Sequence, residues 1–305
     1  MTCTLLCGAI GDSLGMPFES KPYDYEELLK WDGKSFLPSK YHNLKSGEWT
    51  DDSQASVLVA ESLINNNGFN PDDLAARYVD WIESGLAKGC GKTTVLAIKR
   101  LSNKTHWSES GVLGSYGNGT AMRAAPFGIY FRDNFTTLIK AVKIDSAITH
   151  VSPDAEAGAL AIALAAAYVA NFDTEDMLER IVEFLPDSDV KKQLTSLQSL
   201  IDADHIKPLS ALKFLGTKAK VQETVPAALY CFLKMDSFHE GIETSIRAGG
   251  DTDTTASIVG ALFGSQLNLS EVDPIFHSVQ DFNKLADLDK KLYNRTQTYT
   301  FFPRK

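Results

Sequence analysis

The 305-residue chain is poor in cysteine: it has four, Cys3, Cys7, Cys90 and Cys231, and no two form C-x-x-C. A disulfide-stapled scaffold and a cysteine-based zinc site are thereby excluded. The start shows no secretory pattern, so reduced thiols in a cytoplasm are expected. Leu5-Leu6-Cys7 has the look of a lipoprotein cleavage site, but no basic segment precedes it and the apolar run is short. No stretch approaches 18 apolar residues, which excludes a membrane-spanning helix on this reading. Positive charge is in deficit as well: 30 Lys and Arg stand against 39 Asp and Glu, for a net charge of -9. Such a surface argues against stable nucleic-acid binding, though not against a locally basic pocket. There is no H-E-x-x-H, no internal repeat and little period-two alternation, so no substantial sheet is expected.

What is present is helical periodicity. Residues 53–64 carry apolar side chains at helical spacing and stop at Asn65-Asn66-Asn67-Gly68. Pro71 suits a first helical turn, and 72–82 follow. Further helices are predicted over 93–101, 120–131, 136–148, 174–184, 189–200, 225–233, 237–248 and 254–263. Residues 154–170 are almost all Ala, Leu, Ile and Val, which predicts a central buried helix. The chain therefore reads as a compact, single-domain, all-α protein over 1–305, with chemistry carried on loops. The long mixed loop over 22–47 has the length of a functional lid.

Acids concentrate in Gly-bounded segments that read as helix openings: 11–19 with Asp12 and Glu19, 47–54 with Thr50, Asp51 and Asp52, and 249–255 with Asp251, Asp253 and Thr254. Like charges this close cost free energy unless a cation or a solvated cap compensates. Carboxylate and hydroxyl oxygens are the ligands hard cations prefer, and the second and third segments together supply enough for two ions. Helix capping is the plain alternative, since Asp, Ser and Thr favour N-termini. A cap, however, needs one acid of each pair, and here there are two. Gly114-Ser115-Tyr116-Gly117-Asn118-Gly119 can turn through positive φ and converge its N–H groups on an anion; an ordinary tight turn is the alternative. Arg123, on the element that follows, suits a buried ion pair. His150 precedes the buried helix and is either a structural hydrogen-bonder or part of the site. Gly89-Cys90-Gly91-Lys92-Thr93-Thr94 imitates a P-loop, but Leu86 stands where that loop needs its first Gly and a helix precedes it, so a nucleotide triphosphatase is rejected.

In order along the chain, GAIGDSLGMPFE, GEWTDDS, GSYGNGTAMRAAP, ITHVSPDAEAGA and AGGDTDTTASIVGALFG resemble the ADP-ribosylglycohydrolase family from Gly8 to Gly264. The resemblance implies an all-α fold with two Mg²⁺ ions in a central cleft, Mn²⁺ being able to substitute. It implies metal ligands at Thr50, Asp51, Asp52, Asp251, Asp253 and Thr254. It implies that Ser115, Tyr116, Gly117, Asn118 and Gly119 hold the diphosphate of ADP-ribose, with His150 near the ligand. Glu19 matches the proposed catalytic glutamate of the member that frees serine from ADP-ribose and trims poly(ADP-ribose). Gly89 stands where many arginine-specific members carry an Asp, so residues 88–95 look closer to the serine-specific member. The expected reaction is hydrolysis of the glycosidic bond between ADP-ribose and an acceptor, O-linked acceptors being favoured and arginine the alternative. A non-catalytic, crystallin-like binder and a Mg²⁺-dependent phosphoesterase are the rival readings.

Overall fold

The computed structural model of the protein describes residues 2–294. The described residues are mainly helical, as the periodicity predicts. Its main helices are α1 (Thr4–Gly15), α2 (Asp51–Asn66), α3 (Pro71–Glu83), α4 (Lys92–Ser102), α5 (Phe135–Thr149), α6 (Pro153–Ala170), α7 (Val221–Lys234), α8 (Phe238–Arg247), α9 (Thr252–Gly264) and α10 (Phe282–Tyr293). Among the described residues the only sheet pairs Val112–Leu113 in parallel with His150–Val151.

The centre of the molecule is an antiparallel pair, α1 and α9, buried along their whole lengths. Glycines let the two backbones touch. A Cβ on Gly11 would lie 2.1 Å from the Ala256 carbonyl oxygen, and one on Gly260 would lie 2.2 Å from that of Cys7. This contact sets the C-terminal end of α1 against the first turn of α9. α6 crosses the core beside them, buried from Ala157 to Ala170. Its 18 residues reach a mean hydropathy of 1.2, the length and apolarity of a membrane span, which corrects the expectation that no stretch does so; 83% of that window is inside the protein. Core burial accounts for the composition, each large aliphatic side chain contributing about 1.5–3 kcal/mol.

Three predicted boundaries shift, each for a local reason. The helix expected over 120–131 shortens to Ala125–Tyr130. Pro126 has no N–H to bond residue 122, and residues 121 and 122 turn back onto the Asn118 carbonyl at 2.9 and 3.1 Å. The element expected over 174–184 begins at Met177. The one expected over 225–233 spans Val221–Lys234 and carries Pro226 inside it; its first turn is anchored by the Val221 N–H, which donates to the Tyr116 carbonyl at 2.9 Å. Segment 11–19 does not open a helix: it closes α1 and passes into a 3₁₀ turn, Met16–Phe18.

α1 has no side-chain cap from its own N-cap residue, Cys3. The cap comes from α10, where Asp289 accepts the N–H groups of Leu5 and Leu6 at 2.9 and 3.0 Å. Burial pushes the Asp289 carboxyl up to about 7, against the lowering effect of those N–H bonds.

Two outcomes follow from this packing. Gly11→Ala should destabilise the fold by about 1–3 kcal/mol or more in urea unfolding, because backbone must give way to the new Cβ. A folded-state pKa above the unfolded value means that the native state holds the extra proton. Asp289 therefore contributes most stability below pH 4, and that contribution is lost as pH rises towards 7. Asp289→Asn should lower stability, and the difference from the parent should shrink as pH rises through that window; a pH-independent difference would show that Asp289 does not titrate there.

Candidate active site

The site is built where α1, α2 and α9 meet. Asp12, fully buried on α1, accepts the Thr50 N–H with both oxygens at 3.0 Å, the Thr50 hydroxyl at 2.8 Å, the Ser53 N–H at 3.1 Å and the Ser53 hydroxyl at 2.6 Å. This is an N-cap for α2 lent by another helix, and Thr50 itself makes no side-chain cap. Asp51 and Asp52 are thereby relieved of capping. Both line a cavity of about 260 Å³ together with Glu19, Asp251, Asp253, Thr254, Gly117, Asn118, Gly119 and His150. Thr50 stands just behind, its hydroxyl 3.3 Å from Asp52 Oδ2, which the Thr254 hydroxyl also reaches at 3.4 Å. Ser115 and Tyr116 are not among the lining residues: Ser115 is buried with its hydroxyl 3.3 Å from that of Thr93, and the Tyr116 ring is exposed.

Four aspartates line this small volume with the buried Asp12 behind Thr50, and burial dominates the behaviour of these five. Desolvation, reinforced by the Asp12 charge, raises Asp51 to about 7; desolvation also raises Asp251 to about 6. Asp12 is raised, and Asp52 and Asp253 stand well above the usual carboxylate range, burial being the first cause in each. Asp52 Oδ1 is buried and has no hydrogen-bond partner at all. Ligand atoms of Glu19, His42 and Asp253 lie within 4.8 Å of one another. Mutually repelling, desolvated acids with an orphaned oxygen fit hard divalent cations, which reverse the sign of every one of these penalties.

The anion-cradle candidate is held from behind by Arg123. Its guanidinium is 1% exposed and donates to Asp145 Oδ2 at 2.9 Å, to the Gly119 carbonyl at 2.8 Å and to the Thr149 hydroxyl at 2.9 Å. It also lies 5.0 Å from the centre of the Tyr78 ring, whose hydroxyl donates to Asp145 at 2.9 Å. The expected ion pair is thus formed, with an acid outside the three acidic segments. Thr149 Oγ1 lies 2.8 Å from His150 Nδ1. Burial, aided by the Arg123 charge, lowers His150 to about 3, so the ring is neutral. Of the three loop glycines only Gly114 uses positive φ. Gly117 and Gly119 are required for space instead: a Cβ would lie 3.3 Å from His150 Nε2 at residue 117 and 2.9 Å from His150 Cε1 at residue 119. Asn118 bonds the Thr224 hydroxyl at 2.9 Å and the Asp251 carboxylate, tying the loop to the acids.

Three parts of the site were not read from the sequence. Gly91, Lys92, Thr93 and Thr94 line the cavity as the start of α4, an 11-residue helix with no side-chain cap. The glycine turn that imitates a P-loop follows a helix, as expected, and opens another whose first residues line the cavity. Met122 and Ala219 also line the cavity, without any chemical signature. His42, on the 22–47 loop, hydrogen-bonds Glu19 Oε2 through Nε2, and its side chain is 6% exposed. Burial opposes its charge, but the hydrogen bond to Glu19 together with the charges of Glu19, Asp12 and Asp51 outweighs it, and its pKa is raised. A lone histidine in a mixed loop carried no pattern that could have pointed to it.

Arg123→Met tests how the loop is held. It strands Asp145 and frees the Gly119 carbonyl and Thr149, so thermal and urea unfolding should show a loss of about 3–5 kcal/mol. Unchanged stability would show that the buried pair does not organise the loop.

The chain matches the family model described as ADP-ribosylglycohydrolase over residues 2–300. It is 31% identical to an uncharacterized protein of Archaeoglobus fulgidus over 93% of both chains. It is 26% identical to ADP-ribosylhydrolase ARH3 of Mus musculus, covering 73% of this chain and 70% of that one. It is 25% identical to ADP-ribosylarginine hydrolase Tri1 of Pseudomonas putida, covering 88% and 71%. Its fold superposes with a TM-score of 0.73 on an ADP-ribosylglycohydrolase-related protein complex, at 23% identity over 96% of both chains. With that match running almost end to end and an acidic cleft of this construction at its centre, the chain belongs to the ADP-ribosylglycohydrolase family and is a hydrolase of glycosyl bonds.

Proposed function

We propose that the protein hydrolyses the bond between C1″ of ADP-ribose and an O-linked acceptor, serine foremost, with two Mg²⁺ ions for which Mn²⁺ can substitute. The observation that carries the reading is the convergence of the buried acids, the orphaned Asp52 Oδ1 and the Gly117–Gly119 loop on one cavity. Thr50, Asp51, Asp52, Asp251, Asp253 and Thr254 would hold the cations, which when bound would orient the ribose hydroxyls and activate water for attack in a reaction with an oxocarbenium-like transition state.

The chain's own groups account for the rest. The loop and the first turn of α4 both line the cavity and would offer N–H groups to the diphosphate. A Thr149 hydroxyl that accepts from Arg123 and donates to His150 Nδ1 would leave the ring proton on Nε2, beside the loop, as a donor to ligand oxygen. Glu19 stands at the cavity with one oxygen engaged by His42 and moves the proton. An alkoxide leaving group needs that proton, whereas a guanidine is basic enough to leave largely protonated. No second acid is placed to help at residue 89. Gly89 has φ +82, and a Cβ there would lie 2.9 Å from Asp51 Oδ1 and 3.3 Å from His42 Cε1. That crowding supports the O-linked reading over the arginine-linked one. The four free cysteines, three of them buried, support a reducing compartment, the cytoplasm.

The test is a panel of serine-linked and arginine-linked ADP-ribosyl peptides, with and without Mg²⁺. Faster cleavage of the serine-linked peptide is expected, and cleavage should be lost with chelator. Glu19→Gln should lower kcat by at least about a hundredfold while ADP-ribose affinity changes far less. Asp52→Asn and Asp251→Asn should weaken Mg²⁺ binding in calorimetry. A preference for arginine would overturn the linkage; intact metal affinity in both Asn variants would overturn the ligand set.

A further inference from the structure

A second cavity, about 830 Å³, opens between residues 19–23 and the segment 209–219 and meets the active-site cavity at Glu19, Ala219 and Asp251. The inference drawn from it rests on the functional reading above. With the diphosphate on the Gly117–Gly119 loop and the anomeric carbon at Glu19, whatever is bonded to that carbon must continue past Glu19. A smaller space beside Tyr41, Gly89 and Cys90 also borders Glu19, but His42 occupies that flank and engages the carboxylate. The larger cleft is open on the other flank.

Its chemistry is distinctive for a chain of net charge -9. Lys21, Lys213 and Lys218 line it, and among the described residues none of them is ion-paired. Lys213 Nζ lies 5.2 Å from the centre of the exposed Tyr23 ring, which lines the cleft with the exposed Leu209. The acid at the rim, Glu223, is already engaged: it accepts the Lys218 N–H at 3.0 Å and lies 4.0 Å from Lys220 Nζ. Glu19 and Asp251 are on the shared floor. Away from the end shared with the active site, where Glu19 and Asp251 stand, the cleft thus presents three lysines without ion pairs beside apolar walls, a surface that attracts a chain carrying negative charge.

We propose that this cleft seats the acceptor polypeptide and selects acceptors whose modified residue is flanked by Asp or Glu. Two ADP-ribosylserine peptides of equal length, one Glu-flanked and one Lys-flanked, compare this directly. kcat/KM should favour the acidic peptide by about tenfold at low salt, and the preference should narrow as ionic strength rises. The exposed double variant K213E/K218E, with folding checked by thermal unfolding, should reverse the preference. The second readout needs no turnover: fluorescence anisotropy of the unmodified Glu-flanked peptide on metal-free protein should show binding that the double variant weakens at least about fivefold. Equal kcat/KM for the two peptides, an unreversed preference in the variant, or stronger competition by a single-stranded oligonucleotide than by the Glu-flanked peptide would each overturn the assignment. If neither peptide is cleaved but the Glu-flanked one binds and the variant loses it, the proposed reaction falls and the cleft assignment stands.

Discussion

The backbone contact between α1 and α9 is the constraint on which the rest of the molecule depends. Side chains normally hold helix axes 8–10 Å apart. Here glycines remove that spacer, and carbonyl oxygens of one helix sit where a Cβ of the other would be. The antiparallel arrangement then has one outcome for chemistry. The Asp12 end of α1 faces the Asp251–Thr254 end of α9, and α2 enters at the same point because Asp12 caps it. Residues about 240 positions apart in sequence become walls of one small cavity.

That geometry carries an electrostatic cost that the fold does not relieve by itself. The acids are buried, raised in pKa by desolvation and by one another, and Asp52 keeps an oxygen without a partner. A purely structural cluster would be expected to recruit Arg or Lys. The one buried guanidinium among the described residues, Arg123, is instead committed to Asp145 and to the carbonyl of Gly119. Stability given up at a site of this kind is characteristic of function, where charge is arranged for a ligand rather than for the resting protein.

Arg123 shows how the polar core is used. It reaches the loop through Gly119 and the imidazole through Thr149, so the two elements that flank the acids share one buried anchor. His42 reaches Glu19 from the opposite side, carried by a loop that includes the short helix Glu26–Lys30 and the paired residues Ser39 and Leu44. The site is therefore braced by helices around the acids and by a loop at Glu19, with the smaller space on the His42 flank of Glu19 and the larger lysine-rimmed cleft on the other.

Helical class, the central apolar helix and the segments that carry acids were legible in the sequence, because periodicity and local composition are properties of consecutive residues. Asp51 with Asp52 and Asp251 with Asp253 stood out because two acids exceed what one cap can use. Caps borrowed across the fold were not legible: Asp289 on α1 and Asp12 on α2 act at sequence distances of 284 and 38 residues or more, where no local motif exists. Nor was the true use of Gly117 and Gly119, which serve the space of His150 rather than a positive φ, nor the pairing of His42 with Glu19. Composition and pattern determined which residues could do chemistry. Tertiary packing decided which of them share a cavity, because desolvation, close backbone approach and long-range hydrogen bonds exist only once the helices have met.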